Sequence, residues 1–118
     1  MSFEVILKDL VERVPHAIGA ILVDWEGEAV MENCHCDPYE MRFIAAHKGI
    51  ILARLKEMQS IGNVGAVEDV TVTTSERHLI IGSIDKDYSL VMSVGRGCPA
   101  LLALQHFRRA ITGLKKEI

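Results

Sequence analysis

The sequence has no apolar run near the roughly 18 residues that a membrane span requires. It has no excess of basic residues either: 13 Lys and Arg stand against 16 Asp and Glu, a formal net charge of −3. That balance argues against an anionic membrane surface and against nucleic acid, whose phosphates call for a basic face, while the lack of an apolar run argues against membrane insertion. Cysteine is scarce and odd in number, three in 118 residues, so no disulfide framework is expected. Two of them, Cys34 and Cys36, stand in a C-x-C spacing that suits an intramolecular disulfide poorly. A reducing cytoplasm is therefore the expected location. The first residues, Met1 to Asp9, mix acids into apolar positions and lack a basic stretch, so they do not read as a signal peptide. Linkers, low-complexity tracts and internal repeats are also missing. The expectation is a single domain over residues 1–118, large enough to bury a core without staples.

What is present is strong patterning. Ser2 can cap a first helix to about Val14, with Val5, Ile6, Leu10 and Val14 on one face and Pro15 as its stop. The run Ala17-Ile18-Gly19-Ala20-Ile21-Leu22-Val23 is apolar at successive positions, as in a central strand covered on both sides. Asp24-Trp25-Glu26-Gly27 reads as a tight turn, and Glu28 to Asn33 as the returning strand. Asp37-Pro38-Tyr39-Glu40 is a helix start, with Asp37 as N-cap, Pro38 in the first turn and Glu40 three residues after the cap. That helix should run to about Ser60. Strands follow at Val67 to Thr74, His78 to Ile84 and Tyr88 to Val94. A last helix begins near Pro99, with Leu101, Leu104, Ile111 and Leu114 as candidate core residues. The order is α-β-β-α-β-β-β-α.

The long helix has two apolar faces. At 100° per residue, Met41, Ile44, Ala45, Ile51, Leu52, Leu55 and Met58 share one side, which can pack on a sheet. Phe43, Ala46, Ile50 and Ala53 follow a 3-4-3 spacing on the opposite side. A single sheet covers only one face, so the second stripe is expected to be covered by self-association, the alternative being cover by another part of the same chain. Arg42, His47, Arg54 and Lys56 flank it as a polar rim or a solvated border.

Motifs of catalysis are sparse. Cys34-His35-Cys36-Asp37 has zinc-loving side chains, but no second C-x-x-C or H-x₃-H pair completes a site. Gly95-Arg96-Gly97-Cys98-Pro99 precedes a helix without matching a dinucleotide fingerprint or a P-loop. It reads as a strand-to-helix turn needing positive φ. Cys98, at a helix start, is either a small buried residue or a thiol of lowered pKa. His16, His78 and His106 belong to no motif that would supply it with a base. Trp25 either anchors a contact or leans back on the sheet.

The stretch Gly19 to Gly27, then Phe43-Ile44-Ala45-Ala46, Val70-Thr71-Val72, His78-Leu79-Ile80-Ile81 and Leu90-Val91-Met92, resembles the roadblock/dynein light-chain family, including its bacterial MglB-type regulators. The resemblance implies an α/β (α+β) three-layer sandwich. It has a five-stranded antiparallel sheet, with the long helix on one face and the terminal helices on the other. It further implies a homodimer paired through the long helix and docking of a Ras-like small GTPase, whose GTP hydrolysis such proteins can modulate. No catalytic residue, cofactor or metal is implied. Gly97-Cys98-Pro99 departs from the family's polar-Gly pattern before the last helix, and the Cys-His-Cys loop is not a family hallmark. Two other readings remain open: a small-molecule sensor, and a metal- or thiol-dependent protein acting through Cys34, His35, Cys36 and Cys98.

Overall fold

The computed structural model describes residues 2–62 and 64–118, apart from the side chains of residues 48–50, 53 and 56. Its elements are α1 (Phe3–Arg13), β1 (Ala17–Asp24), β2 (Ala29–Cys34), α2 (Pro38–Ala46), α3 (Lys48–Gly62), β3 (Asp69–Thr73), β4 (Arg77–Ser83), β5 (Tyr88–Gly95) and α4 (Ala100–Glu117). The strands form one antiparallel sheet in the order β2-β1-β5-β4-β3.

The central strands explain the layering. Successive side chains of a strand point to opposite faces. Ala20 and Leu22 of β1, Leu90, Met92 and Val94 of β5 and Ile80 of β4 therefore meet α1 and α4 on one face. Ile21 and Val23, Val91 and Ile81 point the other way, onto Met41 and Ala45 of α2. The sequence-based three-layer sandwich, with terminal helices on one side and the long helix on the other, is what the chain adopts.

Within the terminal helices the core is assigned differently from the expectation. Ile6, Leu7, Leu10 and Val11 are the buried residues of α1, with Val14 just beyond it, while Val5 is exposed. In α4 the sheet is met by Ala103, Phe107, Ala110 and Leu114, and Leu101 faces solvent. The buried set advances by three and four residues from Ala103, and Leu101 falls outside that stripe. Phe107 fills a space that Gly82 of β4 leaves: a Cβ built on Gly82 would stand 2.6 Å from Phe107 Cε2.

The long helix is divided at His47. The His47 backbone N–H pairs with the Ile44 carbonyl at 3.1 Å, a tightened turn, while its own ring Nδ1 takes the Phe43 carbonyl at 2.8 Å. That carbonyl is the acceptor a regular helix would offer the His47 N–H. A side chain thus competes with the backbone and interrupts the ladder. Straight-helix arithmetic holds within α2 and within α3 but not across the break.

Turn chemistry follows the expectation in one hairpin and departs from it before α4. Asp24 Oδ1 accepts from the Glu26 and Glu28 N–H groups, and Gly27 has φ +87°. Ahead of α4, however, neither Gly95 nor Gly97 has a positive φ; a left-handed residue, His16 at φ 61°, lies instead in the turn after α1, which packs against this one. Gly97 is small for a different reason: the His16 ring occupies the place of its side chain, with Nε2 2.8 Å from a Cβ built there.

Gly82→Ala is expected to cost about 1–3 kcal/mol, because its methyl group must displace the packed Phe107 ring. Urea unfolding measures it. A second substitution, Phe107→Leu, should cost less in the Gly82→Ala background than in the parent chain, and additive losses would count against this packing.

Candidate functional site

The face of the sheet that carries α2 and α3 gathers the residues singled out in the sequence. Asp37 Oδ1 caps α2 by accepting from the Tyr39 N–H at 3.0 Å. Glu40 does not close a capping box. Its carboxylate accepts from Arg77 Nη1 of β4 at 2.6 Å, and the same nitrogen donates to Ser93 Oγ of β5 at 3.3 Å. A charged donor on the sheet outcompetes the neutral N–H of the cap. Arg42 donates to both carboxylate oxygens of Glu32 on β2, and this bidentate pairing raises its pKa. Met41 and Ala45 are buried between these two clamps. The start of α2 is therefore held over the sheet from both sides.

The other side of α2 is apolar and open. Phe43 is 59% exposed, its ring 4.7 Å from that of His47. Ala46 beside it is also exposed. Phe43 and His47 border a hollow of about 240 Å³ between the helices and the edge of the sheet, lined further by Ile44, Ile51, Val72, Leu79 and Ile81. Ile50 and Ala53, the other half of the expected stripe, lie on α3 with side chains outside the described residues, as does Lys56 of the rim. Of the remaining rim, Arg42 is engaged by Glu32, Arg54 pairs with Glu57 at 3.4 Å, and His47 holds the Phe43 carbonyl. Met58, expected on the sheet side, is half exposed.

The cysteines sort into two environments. Cys34 and Cys36 pack at the margin of the α2 core. The Cys34 thiol donates to the Cys36 carbonyl at 3.4 Å and the Cys36 thiol to the Asp37 carbonyl at 3.4 Å. Burial, then the neighbouring Cys34, push the Cys36 thiol up to about 11. Cys98 is fully buried with the α1–α4 core, and burial raises its pKa too, against the lowering a helix start could give. No three His, Cys, Asp or Glu side chains among the described residues are grouped to hold a metal. The histidines do not come together: His16 lies against Gly97, His78 is buried against Thr73 Oγ1 at 2.8 Å, and His106 lines a groove between α1 and α4. Trp25 is 68% exposed at its hairpin turn. Sequence reasoning missed Arg77 and Glu32, because nothing local marks a strand residue as the partner of a helix 10 or 37 positions away.

Alkylation by iodoacetamide at pH 8 is expected to be about tenfold slower at Cys36 in the folded chain than in urea. The roughly hundredfold loss of thiolate is partly offset by the greater nucleophilicity of a high-pKa sulfur. Peptide mapping over time measures it, and equal rates would remove the assigned environment.

No family model and no curated protein matches the sequence. Solved structures do match. A roadblock/LC7 domain from Streptomyces avermitilis superposes with a TM-score of 0.85 at 20% identity, covering 97% of this chain and 95% of that one. The gliding protein MglB from Thermus thermophilus gives 0.84 at 15%, with 94% and 84% covered. A structure of MglB in a tetrameric arrangement gives 0.84 at 15%, with 94% and 83% covered. The β2-β1-β5-β4-β3 sheet with its two helical layers is thus the roadblock/LC7 fold, shared with MglB.

Proposed function

We propose that the chain is a homodimeric, non-catalytic regulator or scaffold of the cytoplasm that binds a Ras-like small GTPase. The observation that carries the reading is Phe43, a large apolar side chain exposed on α2 beside an apolar hollow. In this reading the second copy is met by Phe43 and Ala46 on α2 and, past the break at His47, by Ile50 and Ala53 on α3. The alternation of large and small residues lets a second helix approach closely. Arg42, His47, Arg54 and Lys56 border it. The tetrameric arrangement of one MglB supports self-association in this fold. The GTPase partner rests on the resemblance to roadblock and MglB-type regulators.

Phe43→Glu and Ile50→Glu are each expected to shift the mass seen by light scattering from twice 13.1 kDa to 13.1 kDa, because a buried unpaired carboxylate strongly opposes association. A wild-type monomer, or folded variants of unchanged mass, would sink the dimer.

The immobilised chain should recover a Ras-like GTPase from its native cell extract. Recovery of other proteins without any GTPase would refute the partner. The recovered GTPase then separates the two roles, since faster GTP hydrolysis in the presence of the chain marks a regulator and an unchanged rate marks a scaffold.

A further inference from the structure

Strand β2 ends the sheet, with β1 as its neighbour in the order β2-β1-β5-β4-β3. Its backbone hydrogen bonds can be followed residue by residue. The His35 N–H donates to the Ile18 carbonyl at 2.7 Å, and the register continues through Ala20↔Asn33 and Leu22↔Met31. Along an antiparallel pair, residues that bond to the neighbouring strand alternate with residues that do not. Asn33 and Met31 therefore bond to β1, and the N–H and C=O groups of Glu32 and Cys34 point away from the sheet. Among the described residues none bonds to these groups.

Protein edges are commonly blunted by lysine, by proline or by a covering element. β2 contains neither Lys nor Pro, and none of its six residues is buried. Met31 packs on the α1 side and Cys34 on the α2 side, which covers the faces of the strand and leaves its rim open. The bulge in its pairing with β1 lies at the hairpin end, past Met31. A hollow of about 230 Å³ opens beside the rim, lined by Ala29, Val30, Met31, Glu32 and Arg42. Val30 is 41% exposed there, and Trp25 stands exposed at the adjoining turn. The free charge is of one sign. Glu26 and Glu28 are exposed, and neither forms an ion pair among the described residues. Arg42, the cation of the hollow, is already held by Glu32.

We infer that the β2 edge takes up an extended segment of a partner protein, apolar along the strand and basic at the end that meets the β1–β2 hairpin. The segment's backbone would pair with Glu32 and Cys34. An apolar side chain would enter the hollow beside Val30, and its lysines or arginines would meet Glu26 and Glu28. Addition of a strand to an open edge is a recurrent recognition mode, in which main-chain bonds supply affinity. Complementary charge then selects the partner. β2 lies at the opposite end of the sheet from β3, whose Val72 borders the Phe43 hollow. The inference thus goes beyond the proposed dimer and GTPase and depends on neither.

The probe is a fluorescein-labelled peptide of alternating valine and threonine with lysines at both ends, titrated with the full chain by fluorescence anisotropy. A second peptide carries glutamate in place of lysine. The basic peptide should bind saturably and the acidic one at least about tenfold more weakly. Methyl groups on alternate peptide amides should block binding in one frame and be tolerated in the other, because only alternate N–H groups face β2. The exposed double substitution Glu26→Lys/Glu28→Lys should weaken binding about tenfold or more while leaving the melting temperature nearly unchanged. Val30→Lys, which supplies the missing edge lysine, should also weaken it. Bound peptide should slow amide exchange at Glu32 and Cys34. Failure of the basic peptide to bind would overturn the inference, as would equal binding of both peptides or equal binding in both methylation frames. Protection at Asp69 to Thr73 instead would move the site to the other edge. A loss of mass by light scattering in Val30→Lys would overturn it in favour of a second copy at this edge.

Discussion

Strands β1 and β5 are buried on both faces, and the rest of the molecule is arranged to keep them so. From Gly19 to Val23 and from Ser89 to Val94 every residue is withdrawn from solvent. A sheet of this kind needs two covering layers, since exposing either face would return a large apolar area to water. The amino- and carboxy-terminal helices supply one layer together, which brings the two ends of the chain to the same side of the sheet. Only the middle of the chain remains to supply the other, and α2 does so through Met41 and Ala45.

The second layer is the less complete one. Two ion pairs, Glu40 with Arg77 and Arg42 with Glu32, pin α2 to β4 and β2. Their members are partly exposed, so they orient the helix more than they stabilise it. Beyond His47 the ladder is interrupted, and α3 stays less close to the sheet than α2. The apolar hollow at Phe43, Val72 and Leu79 lies where the two helical segments meet the edge of the sheet. An open apolar surface at the thinner layer is where a further subunit would complete the cover. In the α1–α4 layer the apolar stripes are already matched to the sheet.

The cysteine-bearing segment is structural in its geometry. Cys34 and Cys36 span the passage from β2 to α2, their thiols satisfied by backbone carbonyls one or two residues on. Burial pushes the thiol pKa of Cys36 and of Cys98 upward, the opposite of what a nucleophile needs. The left-handed His16 shows a similar economy. Its carbonyl accepts from the Gly95 N–H at 2.8 Å, so the turn after α1 and the turn before α4 are built against each other, and Gly97 makes room for the ring.

The sequence alone determined the element order, the two-faced central strand, the Asp24 turn and the Asp37 cap. Each is encoded within a few residues, by side-chain period or by hydrogen bonding to the adjacent backbone. Its expectation of a second apolar stripe assumed one straight helix, and of that stripe Phe43 and Ala46 stand exposed on α2 while the other two positions lie beyond the break at His47. Only the tertiary structure decided which residues of α1 and α4 face the core, since several apolar stripes on an amphipathic helix compete and the sheet selects one. It decided that Glu40 serves Arg77 rather than its own cap, that the glycines before α4 need no positive φ, and that the long helix breaks where the His47 ring takes the Phe43 carbonyl. The partners that settle such points are brought together by folding from distant positions, where no local pattern can announce them.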